Sequence, residues 1–202
     1  SDFAHHLTQM DSLSPKRLKA LAKHNHFDYN GETAQELLEQ KKLSFCFIIA
    51  GQGPKAYGMP EMFSPSQNLR HHQLLEATSI LLTDGRYSGV TKGACIGHVT
   101  PEAFEGGAIG ALKDGDILWL QLKNKKIDIM DAQAFDNGKT VYAEDILTSE
   151  RKNLLDHRNK VATKRLYEIA ACNVLADVTS AEKGVVPKMV DMRATIKIQR
   201  KK

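Results

Sequence analysis

The stretch LLTDGRYSGVTKGACIGHVTPEAFEGG, from Leu81 to Gly107, constrains this chain more than any other segment. The apolar run Ser79-Ile80-Leu81-Leu82 reads as a buried strand, and it stops at the glycine turn Thr83-Asp84-Gly85-Arg86. Glycines at positions 85, 89, 93, 97, 106 and 107 then alternate with Arg86, Ser88, Thr91, Lys92, His98 and Glu102. A strand that delivers a tight turn dense in hydroxyl, cationic and acidic side chains is a common way to present a reactive group. The segment therefore speaks to chemistry as well as to fold.

The rest of the composition sets the frame. The chain has 202 residues, enough for one domain with a real core, and its 42% hydrophobic and 26% charged residues are those of a globular protein. The net charge is +4, and part of the basic excess sits in the tail at Lys197, Arg200, Lys201 and Lys202. With only 6% aromatic residues the chain lacks the stacking side chains of a nucleic-acid surface, so no nucleic-acid partner is expected. Cys46, Cys95 and Cys172 are far apart and form no Cys-x-x-Cys pair. That pattern implies reduced thiols and a cytoplasmic location rather than a disulfide framework. No apolar run is long enough to span a membrane, and no signal-peptide pattern opens the chain. The first residue is Ser1 rather than methionine, which leads us to expect a piece of a longer protein.

Three stretches follow from the periodicity. Residues 1–43 read as a helical, polar segment linking to a missing N-terminal domain. Ser14-Pro15 and Thr33 each open a helix there, and His5, His6, His24 and His26 are read as solvated. Residues 44–148 form a glycine-rich β core with active-site loops. Its strands are expected at 44–50, up to Thr83, at 96–99, at 116–123, at 125–129 and near 140–142, with a short helix near 74–77 and 64–72 left as a polar segment. Asn124 is expected in the turn of a hairpin, and Thr100-Pro101-Glu102 is expected to start a helix with Thr100 as its cap. Residues 149–202 are helical from Ser149 onward and belong to the same domain. Strands this close together favour a mixed α/β fold with a small, barrel-like sheet under helical cover.

Read from residue types alone, the candidate site residues have two readings each. Ser88 is either a turn serine that bonds its own backbone or a nucleophile or base, the latter needing a nearby cation or dipole to ionise it. Arg86 stands where a Gly-x-Ser-x-Gly elbow needs glycine, which argues against a hydrolase of that type. Glu61, in Gly58-Met59-Pro60-Glu61-Met62, is either a helix-start carboxylate or a hard oxygen ligand for Mg²⁺. Asp84 and Arg86 either pair and brace the turn or touch substrate, and His98 is either a strand-end residue or a substrate contact. Gly51-x-Gly53-Pro54 lacks the GK[ST] of a phosphate cradle.

These motifs together resemble the C-terminal domain of the dihydroxy-acid dehydratase / phosphogluconate dehydratase family. GMPEM at 58–62, LLTDGRYSG at 81–89 and KGACIGHVTPEAFEGG at 92–107 carry the resemblance, with KDGDI at 113–117 and a fainter echo, ADVTSAEKGVVP, at 176–187. The segment GQGPKAYGMPEM and the basic tail are closer to the sugar-acid dehydratases of that family. The resemblance implies a swivelling β/β/α domain with an open β-barrel core flanked by helices. It also implies a hydro-lyase that eliminates water from a 2,3-dihydroxy or sugar acid to give a 2-keto acid. By resemblance, Ser88 is the base, Glu61 an Mg²⁺ ligand and Thr91 a substrate contact, with Arg86 and Asp84 as further candidate substrate contacts; members of the family carry a hydroxyl where this chain has Val90. The cysteines that bind the family's iron–sulfur cluster lie in an N-terminal domain that this chain does not contain, and Cys95 is read as a small buried residue. The isolated chain is thus expected to be inactive, to partner with that cluster domain and a small acid substrate, and to assemble as a homodimer or larger. The alternative is a non-catalytic sugar-acid-binding or interaction domain of the same fold.

Overall fold

The computed structural model describes residues 13–143 and 147–168. His5, His6, Cys172, the motif at 176–187 and the basic tail lie outside the described residues.

Two capped helices come first. In α1 (Pro15–His24) the Ser14 hydroxyl accepts from the Arg17 N–H at 3.2 Å, with proline at the first helical position. In α2 (Ala34–Glu39) Thr33 and Glu36 form a reciprocal capping box. Both expected helix starts are present. Leu18, Ala34, Leu37, Leu38 and Leu43 bury their side chains between the two helices. An ion pair from Arg17 to Asp136 ties α1 to the later helix α6 (Ala132–Asp136). His24 departs from the solvated reading: its ring meets Trp119 edge-on at 5.4 Å and leans on Phe135 at 5.5 Å.

The central sheet is parallel, in the order β1 (Phe45–Ile49), β2 (Ser79–Thr83), β3 (Ala94–Ile96). Three short helices cross from β1 to β2: α3 (Pro54–Tyr57), α4 (Phe63–Arg70) and α5 (Gln73–Thr78). The segment expected to be merely polar at 64–72 is thus mostly α4, whose Ser66 and Leu69 are buried. Alternation along the strands sends Cys46, Ile48, Leu82 and Ile96 to one face and Phe47, Ile49, Leu81 and Cys95 to the other. Each face carries its own apolar cluster, as a parallel sheet requires.

An antiparallel hairpin, β4 (Leu118–Gln121) with β5 (Lys126–Ile129), forms a second sheet. Asn124 lies in its turn as expected, and Lys125 completes the reversal with φ 51°. The expected strand near 140–142 amounts to a single bridge between Met130 and Tyr142. Helix α7 (Ser149–Glu168) packs across the turns at 103–112. Arg158 donates to the Gly110 and Leu112 carbonyls, Asn159 to the Ala103 carbonyl, and Arg151 makes a two-pronged pair with Asp116 at 2.6 and 2.7 Å. Burial alone would raise the Asp116 carboxyl, but the Arg151 fork and the Lys113 N–H hold it below its ordinary range.

The fold is therefore mixed α/β with helical cover, as expected. Among the described residues the strands make two sheets and no closed barrel. No described helix is long and apolar enough to cross a membrane.

Gly107 is fixed by its surroundings, because a β-carbon there would land on the Pro101 carbonyl and press on that of Glu102. Gly107→Ala should cost about 3 kcal/mol in urea unfolding. Gly89→Ala, at an open position with ordinary φ, should stay within about 1 kcal/mol of wild type.

Candidate active site

Parallel strands end on one edge of a sheet, so the loops after β1, β2 and β3 emerge side by side. The loop after β2 is short. Residues 84–93 must return along the strand to start β3 beside it, with no helix to span the distance. This is why the segment is rich in glycine, and why its side chains stay at the edge.

The loops are bound to one another by their backbones. Met62 donates to the Arg86 carbonyl at 2.8 Å and Arg86 to the Pro60 carbonyl at 3.4 Å, a parallel bridge between Glu61 and Arg86. The Arg86 side chain reinforces it: Nε donates to the Met59 carbonyl at 2.7 Å, and one terminal nitrogen pairs with Glu61 Oε1 at 3.1 Å. The third loop joins through the His98 N–H on the Gly85 carbonyl, at 2.9 Å, and the Val99 N–H on the Thr83 carbonyl, at 3.2 Å. The motifs at 58–62 and 81–89 are distant in sequence and hydrogen-bonded in space. His98 itself is exposed, with φ 58° just beyond β3.

Asp84 and Arg86 do not pair with each other. The Asp84 side chain is fully buried, and its carboxylate accepts from Gly51 at 3.0 Å, Gln52 at 2.8 Å and Ala103 at 3.0 Å. One side chain thereby fastens all three loops. It also uses the very N–H groups that a phosphate cradle at Gly51–Gly53 would need. Beside it the Thr83 hydroxyl donates to the Ile49 carbonyl at 2.7 Å and accepts from the Gly85 N–H at 2.9 Å.

Glu102 requires a correction. Thr100 does not cap a helix there, and Pro101 does not open one. The Thr100–Pro101 peptide is cis, Glu102 is extended, and only a 3-10 turn (Ala103–Glu105) follows. The reason is the fate of the carboxylate. Glu102 is fully buried and reaches the Lys55 N–H at the start of α3, at 3.0 and 3.3 Å from its two oxygens. A β-carbon on Gly53 would collide with it, so the glycine there makes room for the acid. Lys55 and Glu105 form an ion pair alongside. Burial, joined by the charges of Asp84 and Glu105, pushes the Glu102 carboxyl up to about 7, against the pull of Lys55. No spacing in the sequence links Glu102 to Lys55, 47 residues away.

Ser88 sits on the loop after the Arg86 bridge, in a turn closed by the Thr91 N–H on the Ser88 carbonyl at 3.1 Å. The hydroxyl oxygens of Ser88 and Thr91 are shielded from solvent, and neither has a hydrogen-bond partner among the described residues. The Ser88 side chain thus does not make the local turn bond of the ordinary reading. Beneath the loop, burial holds the Tyr87 phenol well above its usual range, with Cys95 and Cys46 adding to it.

Mg²⁺ accepts one or two protein carboxylates and fills its shell with water and substrate oxygens. Glu61 fits that requirement as a single, half-exposed hard ligand fixed by Arg86; among the described residues no group of three or more acidic, histidine or cysteine side chains is placed to hold a metal ion, at Glu61 or elsewhere. The cysteines among the described residues do not fit an iron–sulfur cluster. Cys46 and Cys95 are half-buried on opposite faces of the sheet, and burial pushes both thiols up, Cys46 to about 11. Cys95 is half-buried rather than fully enclosed.

The strand edge thus gathers one half-exposed carboxylate, Glu61, and two shielded hydroxyls, Ser88 and Thr91, without hydrogen-bond partners among the described residues. Residues 8–184 match the family described as dihydroxy-acid/6-phosphogluconate dehydratase C-terminal, and the chain belongs to that family. It is similar to the dihydroxy-acid dehydratase of Aquifex aeolicus, 33% identical over 86% of this chain and 29% of the relative. That of Thermodesulfovibrio yellowstonii is 32% identical over 89% of this chain and 30% of the relative. That of Campylobacter hominis reaches 52% identity over 41% of this chain and 15% of the relative. The chain thus spans less than a third of the length of these relatives.

The position of Glu102 makes stability depend on pH. Its carboxyl is pushed up to about 7 when folded and sits near its ordinary 4.5 when unfolded, so the folded state holds the extra proton between these values. Stability should therefore be fully present below about pH 4.5 and decline by up to about 3 kcal/mol as pH rises through about 7. Urea unfolding of Glu102→Gln should show that slope removed.

Proposed function

We propose that this chain forms one wall of the active site of a dehydratase that converts a 2,3-dihydroxy acid to a 2-keto acid. Ser88 takes the proton from C2 and passes it to the departing C3 hydroxyl, which leaves as water as the C2–H electron pair forms the C2–C3 double bond; the enol so formed tautomerises to the ketone. The observation that carries this reading is the Ser88 hydroxyl, shielded and unengaged among the described residues, on a loop hydrogen-bonded to the segment of Glu61. The names of the relatives support the substrate class, with a sugar acid as the more specific reading from the GQGPKAYGMPEM segment.

Glu61 would hold Mg²⁺ at the carboxylate end of the substrate; the bound ion supplies positive charge that makes an ionised serine affordable. Thr91 presents its hydroxyl one turn from Ser88 and orients the substrate carboxylate. Arg86 keeps Glu61 in place, and Asp84 holds the loops behind both. With no cysteine set among the described residues to hold an iron–sulfur cluster, the cluster would sit on a cysteine-bearing domain outside this chain, the partner that completes the site.

The test uses the complete dehydratase, assayed for 2-keto acid from an aliphatic dihydroxy acid and from sugar acids. Ser88→Ala should lower turnover by about 10³-fold with unchanged thermal melting. Turnover retained in that variant removes Ser88 from the mechanism. Glu61→Gln should raise the Mg²⁺ concentration for half-activation by about tenfold or more, at least the loss that an outer-sphere partner brings.

A further inference from the structure

We propose that Glu102 is a positioning residue for this site: its ionised carboxylate, seated on the Lys55 N–H, holds the 53–62 segment where Glu61 meets the Ser88 loop. The proposal rests on the dehydratase reading.

The 53–62 segment cannot hold itself. Helix α3 is a single turn whose N-cap, Gly53, has no side chain to accept from it. The Gly53 carbonyl receives the Tyr57 and Met59 N–H groups, at 3.0 and 3.3 Å, so the turn and the bend after it move as one body. Gly58 and Met59, with φ of 70° and 57°, then aim the chain at Pro60–Met62 and the Arg86 bridge. Arg86 holds Glu61 from one side, and Gly53–Lys55 sets the segment that reaches it from the other. The side chain that seats this turn comes from outside it, and it is Glu102.

Both Glu102 oxygens face the one N–H, an arrangement suited to a carboxylate. A proton on either oxygen removes one of the two acceptors and leaves the acid to seek a partner of its own. The charged groups around it are Asp84 at the end of β2, Glu105 on its own 3-10 turn and Lys55 on α3. Helix α7 closes the far side with neutral Asn159, while Arg151 and Arg158 are engaged on residues 110–116. Two acids against one lysine favour the proton, and the seat on Lys55 favours its loss. Stability and positioning thus respond to pH in opposite directions, which a purely structural glutamate would not produce.

The experiment compares wild type with Glu102→Gln in the complete dehydratase. It follows turnover and Mg²⁺ half-activation from about pH 6 to about pH 8, thermal melting, and backbone hydrogen exchange across 53–62. Glu102→Gln should lower turnover about tenfold to a hundredfold at the alkaline end. It should abolish the wild-type rise in turnover with pH, speed exchange at Lys55 and 58–62, and melt no lower than wild type. Wild-type turnover and exchange in the variant would overturn the proposal, as would a loss of activity that only tracks a loss of melting temperature. If wild type dehydrates none of the acids, the dehydratase reading fails instead. The exchange comparison then decides alone whether Glu102 holds the segment.

Discussion

The arrangement of this domain depends on one buried carboxylate. Asp84 stands where β2 gives way to the loop of Ser88, and its two oxygens take backbone N–H groups from Gly51, Gln52 and Ala103. A charge enclosed in this way is tolerable only when its hydrogen bonds are complete, and a carboxylate facing backbone amides meets that condition. The interaction has a direct geometric result. Three loops that could each wander at the edge of a short sheet are drawn to a single point, and the segment bearing Glu61 is brought against the segment bearing Ser88.

Around that point the fold supplies rigidity from several directions. The three-stranded sheet is covered on both faces, so the loop ends rest on close-packed strands. Helix α7 adds polar anchors: Arg151, Arg158 and Asn159 grip carbonyls and a carboxylate in the turns between β3 and β4. These turns have few partners of their own, being too short for regular helices. Glu102 then carries the constraint onward to α3. Two enclosed acids, Asp84 and Glu102, stand close enough for one to raise the other, a strain the fold tolerates where its loops converge.

Much of this was legible from local patterns. Ser14-Pro15 and Thr33 with Glu36 announced their helices because capping is settled within four residues. The runs at 44–50 and 79–83 announced strands through continuous apolar character, and Asn124 announced the hairpin turn. What stayed hidden involves partners far apart. Ser64–His72 looked merely polar because α4 buries one narrow stripe, including Ser66 and Leu69. His24 looked solvated because its neighbours Trp119 and Phe135 arrive from the other end of the chain. Thr100-Pro101-Glu102 has the composition of a helix start, and the pull of Lys55 on Glu102 overrode that local preference.

The sequence by itself determined the two motifs, their residue types and the family they belong to, since these are matters of identity and spacing along the chain. Only the tertiary structure decided that GMPEM and DGRYSG lie hydrogen-bonded side by side, that Asp84 and Arg86 serve different partners, and that Glu102 faces inward. The physical reason is the same in each case. A carboxylate or guanidinium is satisfied by whichever donor or acceptor the packed chain brings within hydrogen-bond reach, and that partner is chosen by strand order and burial rather than by neighbours in sequence.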